Sequence, residues 1–347
     1  MSYDAFLLVS FGGPEGPDDV MPFLRNVTRG RGIPEERLAV VAEHYYHFGG
    51  VSPINGQCRD LIAAVEKEFA ASGITLPIYW GNRNWDPYLE QIVRQMRTHG
   101  ITRALAFVTS PYGSYSSCRQ YLDDIERARA QVGPGAPVID KIRHYHDHPG
   151  HINPHADGVR EALANLPAER RGSTRIVFTA HSIPTSLALS SGPGGGTGRY
   201  EAQMREAAAL VAKTAAPDLE WDLVWQSRSG APSMPWLEPD VNDHLAALAQ
   251  AGTTSVVVSP IGFISDHLEV AWDLDNEAAS TAQRLGIDFA RAATPGTHPE
   301  FVGMIGELVR ERIDAMPSPR LKLGEVPAWD TCAADCCPAP VRPQART

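Results

Sequence analysis

Three short segments gather side chains able to bind a metal or move protons. The first carries His181, in Val-Phe-Thr-Ala-His-Ser-Ile-Pro at 177–184. A neutral imidazole accepts a proton or ligates a metal near pH 7. A histidine that only caps a loop is the competing reading. The second segment places Glu269, Asp273 and Glu277 four residues apart. On a helix that spacing lines three carboxylates along one stripe, and like charges so placed repel unless a cation or proton relieves them. Such a line leading into a cleft is a route for a divalent metal or for protons. The same residues also fit a plainer reading, with Asp266 and Glu269 as a capping box and Asp273 and Glu277 on a solvated face. The third segment, Thr-Ser-Pro-Tyr-Gly-Ser-Tyr-Ser-Ser-Cys-Arg-Gln-Tyr at 109–121, offers rings to stack on a flat ligand and hydroxyls to bind its polar edges. A serine-rich helix cap at Ser116 or Ser117 is the alternative.

The elements that position these residues follow from hydropathy patterning. Short apolar runs at 5–12, 76–81, 104–110, 137–140, 175–180, 223–226, 255–260 and 287–292 read as buried strands. Amphipathic stretches such as 35–48, 59–71, 89–98, 119–131, 243–251 and 269–284 separate them; Leu61, Ile62, Val65 and Phe69, for example, share one helical face. Strand and helix alternating in this way predict an α/β chain with parallel, doubly wound sheets. Ligands bind such sheets at the carboxyl ends of the strands, where all three segments fall. With 347 residues the chain is long for one core and comfortable for two. We expect two lobes, 1–150 and 151–316, with a cleft between them and a last helix near 301–316 that packs back on the first lobe. Glycine-dense 190–198 reads as a loop. The proline-rich stretch 317–347 reads as an extended tail whose order depends on a bound group.

Composition narrows the function. A formal net charge of −10 speaks against nucleic-acid binding, which needs a basic surface. No apolar run approaches the roughly 18 residues that span a bilayer, so stable membrane insertion is not expected, and the N-terminal run lacks a basic leader. A cytoplasmic location is the expectation. Of five cysteines, Cys332, Cys336 and Cys337 lie within six residues, a clustering that in a cytoplasmic chain favours metal ligation over disulfides. His144, His146, His148 and His151 also crowd eight residues, a density that a metal ion would accept.

Taken together and in order, these residues resemble the ferrochelatase family. His-Ser-Ile-Pro at 181–184 and Ser-Asp-His-Leu-Glu-Val-Ala-Trp-Asp-Leu-Asp at 265–275 carry the likeness. Ser-Phe-Gly-Gly-Pro at 10–14, Phe-Gly-Gly-Val-Ser-Pro-Ile at 48–54 and the run from Gln226 to Val241 extend it over roughly residues 5–315. The resemblance implies two similar chelatase-like lobes gripping a porphyrin, with ferrous iron as the metal inserted. It implies His181 as proton acceptor or iron ligand, Glu269 facing it across the macrocycle, and Asp273 and Glu277 continuing an acidic path. Ser52 and Tyr121 fall where bacterial relatives hold propionates, and Arg29 and Arg31 are further propionate partners, because guanidinium forks match carboxylates. Two departures stand out. Phe11 replaces a tyrosine common in bacterial relatives and cannot ligate iron, and His44 falls where a relative uses arginine.

Coproporphyrin III is the expected porphyrin, ahead of protoporphyrin IX, because no membrane-docking lip or tail helix is evident. The likeness also implies transient contact with neighbouring enzymes of haem synthesis. A non-catalytic porphyrin carrier is the rival of a different class. The tail resembles a branch of the family with a [2Fe–2S] cluster, for which Cys332, Cys336 and Cys337 need a fourth thiolate; Cys118 is expected over Cys58. A zinc site or a disordered free-thiol tail is the alternative. Asp-His-Pro at 147–149 is ordinary for the family at a lobe junction, which favours a structural role for the histidines around it.

Overall fold

The computed structural model describes residues 2–30, 32–230, 233–314 and 319–340. Eight strands appear where the apolar runs predict them: β1 Ala5–Ser10, β2 Ile78–Asn82, β3 Arg103–Val108, β4 Val138–Lys141, β5 Arg175–His181, β6 Trp221–Gln226, β7 Ser255–Ser259 and β8 Asp288–Arg291. They form two four-stranded, wholly parallel sheets of the same topology, β2-β1-β3-β4 and β6-β5-β7-β8. Strands such as β1 and β7 are buried along their whole length, because helices cover both sheet faces. This explains their continuous rather than alternating hydrophobicity.

On the first sheet, Phe6, Leu8, Leu105 and Phe107 pack under helices Ile54–Ser72 and Pro299–Ile313. The opposite face packs against Leu89–Thr98 and Gln120–Val132. The second sheet lies between Pro149–Ala164 with Arg199–Ala215 on one side and Val241–Gln250 with Ala279–Leu285 on the other. The last helix therefore leaves the second sheet and covers the first. A division at 150 cuts just inside the helix that opens at Pro149.

The expected helix over 269–284 is not a plain α-helix. After one α turn at Leu268–Val270, residues Ala271–Ala278 wind as a π-helix before α geometry resumes at Ala279. The wider turn is a tertiary adjustment of the kind found at functional sites, and a hydrophobic periodicity near 3.6 does not announce it. Nor does the expected capping box form. His267, not Asp266, precedes the first turn and gives no side-chain cap. The Asp266 carboxylate instead accepts hydrogen bonds from Arg291 and Thr294.

Candidate active site

Both sheets reverse strand order between their two central strands, β1/β3 and β5/β7. The crevices at those switch points are where parallel α/β sheets bind ligands. His181 is the last residue of β5, and the loop after β7 passes beside it. Gly262 makes this approach feasible: its amide donates to Thr179 O, and a Cβ there would lie 2.7 Å from the Cβ of Ala180. That loop leads into the acidic helix.

The result is a facing pair. His181 Nε2 lies 3.7 Å from Glu269 Oε2, both partly open to solvent. His181 is held from two sides. The hydroxyl of buried Tyr200 donates to its carbonyl at 2.8 Å, and its ring Nδ1 meets the carbonyl oxygen of Ser182. A carbonyl only accepts, so Nδ1 carries the proton in the neutral ring and the Nε2 lone pair faces Glu269 and the cleft. His267 lies within electrostatic reach of both, and its own basicity is lowered by burial.

Asp273 sits one helical step deeper. It accepts from the Ser227 hydroxyl and from Gln226 Nε2 at 3.3 Å. Burial raises its carboxyl to about 7, with the charges of Glu269 and Glu277 adding to the rise against the Ser227 bond. Ser227 itself adopts φ +59°, a left-handed conformation that costs a non-glycine residue free energy and marks a held geometry. Glu277 accepts from Trp272 Nε1 at 2.9 Å, an i, i+5 contact that the π-helix permits. Trp272 stacks on His44 with ring centroids 3.9 Å apart, so the first lobe's helix Glu35–His47 reaches the acidic helix of the second. Burial lowers the pKa of His44, against the pull of Glu277 and Glu269.

The other expected residues are placed as follows. Phe11, just past β1, packs edge-on to Phe23. Tyr121 and Ser52 are both buried. Arg83 lies over the Tyr121 ring, and the Tyr121 hydroxyl is 3.5 Å from Thr109 Oγ1. Ser52 is pressed against Gly13, where no Cβ would fit. The cap of the serine-rich run is Ser114, which accepts from the Ser117 amide at 3.1 Å, rather than Ser116 or Ser117. Arg29 is exposed beyond helix Pro17–Val27, and Arg31 lies outside the described residues.

A second centre forms around the tail. Cys336 and Cys337 place their sulfurs 3.7 Å apart, and Cys118 and Cys332 are in hydrogen-bonding contact, as are Cys332 and Cys336. The bond from Cys118 lowers the Cys332 thiol to about 6, with Lys141 and Arg119 nearby. Cys337 is anchored twice to the glycine loop: its amide donates to Gly192 O and its sulfur accepts from Gly192 N at 3.2 Å. The positive φ of Cys337 is the sharp turn that lets adjacent cysteines point into one place. Cys58 is elsewhere, buried in the first lobe's core with its thiol raised to about 11.

The ferrochelatase family model matches residues 3–313. The chain belongs to the ferrochelatase family. It is 55% identical over 352 residues to the coproporphyrin III ferrochelatase of Nocardia farcinica, covering 99% of both chains. It is 55% identical to that of Mycolicibacterium smegmatis over 98% of this chain and 99% of the relative. A ferrochelatase of Rhodopirellula baltica is 54% identical over 96% of this chain and 93% of its own. Among solved structures, SirB from Bacillus subtilis shares the chelatase fold at a TM-score of 0.52 and 14% identity, covering 90% of this chain and 96% of SirB.

The sequence points to His181 and the three acids but gives no role to Ser227, Gln226, Tyr200, His267 or Trp272. All five are ordinary polar or aromatic residues whose partners are 19 or more positions away, except Trp272 with Glu277 and His267 with Glu269. No periodicity or spacing signals such pairs.

Proposed function

We propose that the chain inserts ferrous iron into coproporphyrin III to give coprohaem. The observation that carries this reading is the opposition of His181 Nε2 and Glu269 at 3.7 Å, at a switch-point crevice and continued inward by a carboxyl poised near neutrality. The names of the 55%-identical relatives supply the porphyrin. Insertion exchanges two pyrrole N–H protons for one Fe2+. The His181 lone pair accepts one proton. Glu269 and Asp273 offer carboxylates for the other and for the incoming cation, and a group with a pKa near the working pH both takes and releases protons readily. Glu277 extends the path to the surface, and the Tyr200 and Ser182 contacts fix the base in position.

We assign Ser52, Tyr121, Phe11 and His44, with Arg29 and Arg31, to the porphyrin-facing wall and its propionate partners. The lobes are 1–150 and 151–316, with 317–347 as a tail. We place the protein in the cytoplasm, where thiols stay reduced and available to a metal. Mixing the pure protein anaerobically with Fe2+ and coproporphyrin III and following the absorption spectrum tests the reading. Turnover to coprohaem, faster than with protoporphyrin IX, is expected. Tight binding without turnover would make the protein a carrier instead.

The four gathered thiols fit a [2Fe–2S] cluster held by Cys118, Cys332, Cys336 and Cys337. A single zinc ion needs four sulfurs about 3.8 Å from one another. Among the described residues, the one group of three metal-type ligands within 4.8 Å is not the cysteines but His146, Asp147 and Glu206. The wider spread of the sulfurs suits a two-iron centre. When bound, such a cluster supplies one-electron redox capacity, while the thiolates tie the tail to the first lobe at Cys118 and the Gly192 contacts tie it to the second.

A further inference from the structure

The histidine-rich stretch 144–151 leaves β4 and runs beneath the tail. Two of its residues, His146 and Asp147, are buried and face Glu206 of helix Arg199–Ala215. His146 Nε2 lies 3.1 Å from Glu206 Oε2. One ligand atom from each of the three residues lies within 4.8 Å of the others. The second Glu206 oxygen accepts the amides of Glu325 and Val326, at 2.6 and 3.0 Å, and the Val326 amide also reaches Oε2 at 3.2 Å. The Leu323 amide donates to the Asp147 carbonyl at 2.9 Å. Gly324 passes so close that a Cβ would collide with the Glu206 carboxylate.

Hydrogen bonding leaves this cluster incomplete. Asp147 is 2% exposed, yet its Oδ1 has no hydrogen-bond partner, and neither has His146 Nδ1. Buried polar atoms are rarely orphaned. The nearby guanidinium of Arg143 is committed to Glu311 in a two-pronged pair at 2.8 and 2.9 Å. Glu206 is partly buried and hydrogen-bonded, but the buried Asp147 carboxylate with its bare Oδ1 needs a positive partner. Ligands 90° apart at about 2.1 Å from one ion are about 3.0 Å from each other, close to the His146–Glu206 spacing.

We propose that His146, Asp147 and Glu206 form a divalent-cation site, separate from His181–Glu269 and from the cysteines, that fastens the tail strap to the junction of the lobes. One imidazole and two carboxylates suit borderline and hard ions such as Mn2+, Fe2+ or Zn2+ rather than soft ones. The ion links the β4 exit, helix Arg199–Ala215 and, through the amides on Glu206, residues 323–326.

The test uses the full chain, purified anaerobically, carrying His181→Ala, Glu269→Gln and Asp273→Asn to silence the cleft. Mn2+ serves as the probe because thiolates compete poorly for it. Titration followed by electron paramagnetic resonance of free Mn2+ is expected to show one bound ion per chain. Asp147→Asn keeps the shape of a side chain whose Oδ1 bonds to nothing, and Glu206→Gln keeps an acceptor for the strap amides. Each is expected to weaken Mn2+ binding at least about tenfold, with an unchanged melting temperature in the absence of Mn2+ showing that the fold is retained. Mn2+ is also expected to slow proteolysis of the tail in the background chain and not in Asp147→Asn. No bound Mn2+ in the background chain, or undiminished binding in a folded Asp147→Asn or Glu206→Gln protein, overturns the proposal and leaves these residues as a hydrogen-bonded anchor.

Discussion

At the scale of single residues, the proposed chemistry depends on one imidazole, His181, whose free nitrogen is aimed by its surroundings. Nδ1 is occupied by the Ser182 carbonyl, so the neutral ring has one lone pair and it faces the cleft. His181→Ala is expected to reduce iron insertion by about a hundredfold or more, the range of a lost general base, while porphyrin affinity measured by fluorescence quenching changes by less than about tenfold. Retention of most turnover would make the histidine structural. Glu269 is the complementary case. Because no capping box forms at this helix start, Glu269→Gln removes charge without removing a cap. A severe loss of turnover with an unchanged melting temperature is expected. A fall in melting temperature with turnover per folded molecule preserved would assign Glu269 to stability.

At the scale of elements, the π-helical stretch Ala271–Ala278 and the strained Ser227 act together on Asp273. Its carboxyl titrates near 7 in the folded protein against the ordinary value near 4 in the unfolded chain. Between those values the folded state holds the extra proton, so this group's contribution to stability falls as pH rises from about 4 to about 7 and stays lost above. Asp273→Asn is therefore expected to be more stable than the parent at pH 8, by up to about 4 kcal/mol, with little difference at pH 4. Melting curves at the two pH values check this. Activity is expected to run the other way, because the proposed mechanism uses the ionised carboxylate: kcat/KM is expected to rise with pH through about 7. Ser227→Ala deletes the hydrogen bond that favours the charged form, so it is expected to move that limb to higher pH. An unmoved limb would dissociate Asp273 from the pH profile.

At the scale of the whole molecule, the lobes are interlocked rather than merely adjacent. Helix Pro299–Ile313 closes the first sheet after the chain has built the second. The tail then crosses the junction, with Arg143 binding Leu321 O, Arg199 stacking over Trp329, and Arg119 binding Ala334 O at 2.9 Å. Little of that contact is apolar, so the proposed cluster is expected to contribute to holding it. Protein prepared without oxygen is expected to be reddish-brown, with about two irons and two acid-labile sulfides per chain. Serine at 118, 332, 336 or 337 is expected to bleach it and to speed proteolysis of the tail, whereas Cys58→Ser leaves both unchanged. A colourless, zinc-containing preparation would replace the cluster with a zinc site.

What the sequence determined by itself was the set of parts. Continuous apolar runs specify strands buried on both faces, and all eight were legible because parallel sheets covered on both sides leave that unbroken signature. The ordered motifs around His181 and Glu269 specified the family. Helices Pro149–Ala164 and Arg199–Ala215 are less evident in the residue pattern, the first because it opens Pro-Gly and carries Pro154 within it. Tertiary structure alone decided the rest. It wound the acidic stripe as a π-helix, gave Asp266 to Arg291 instead of to a helix cap, and set Ser227 in a left-handed turn against Asp273. It also carried Cys332, Cys336 and Cys337 to Cys118, more than 200 positions away. These outcomes depend on which groups are brought together when two sheets and a tail share one junction, and contacts between residues distant in the chain leave no trace in local composition, spacing or periodicity.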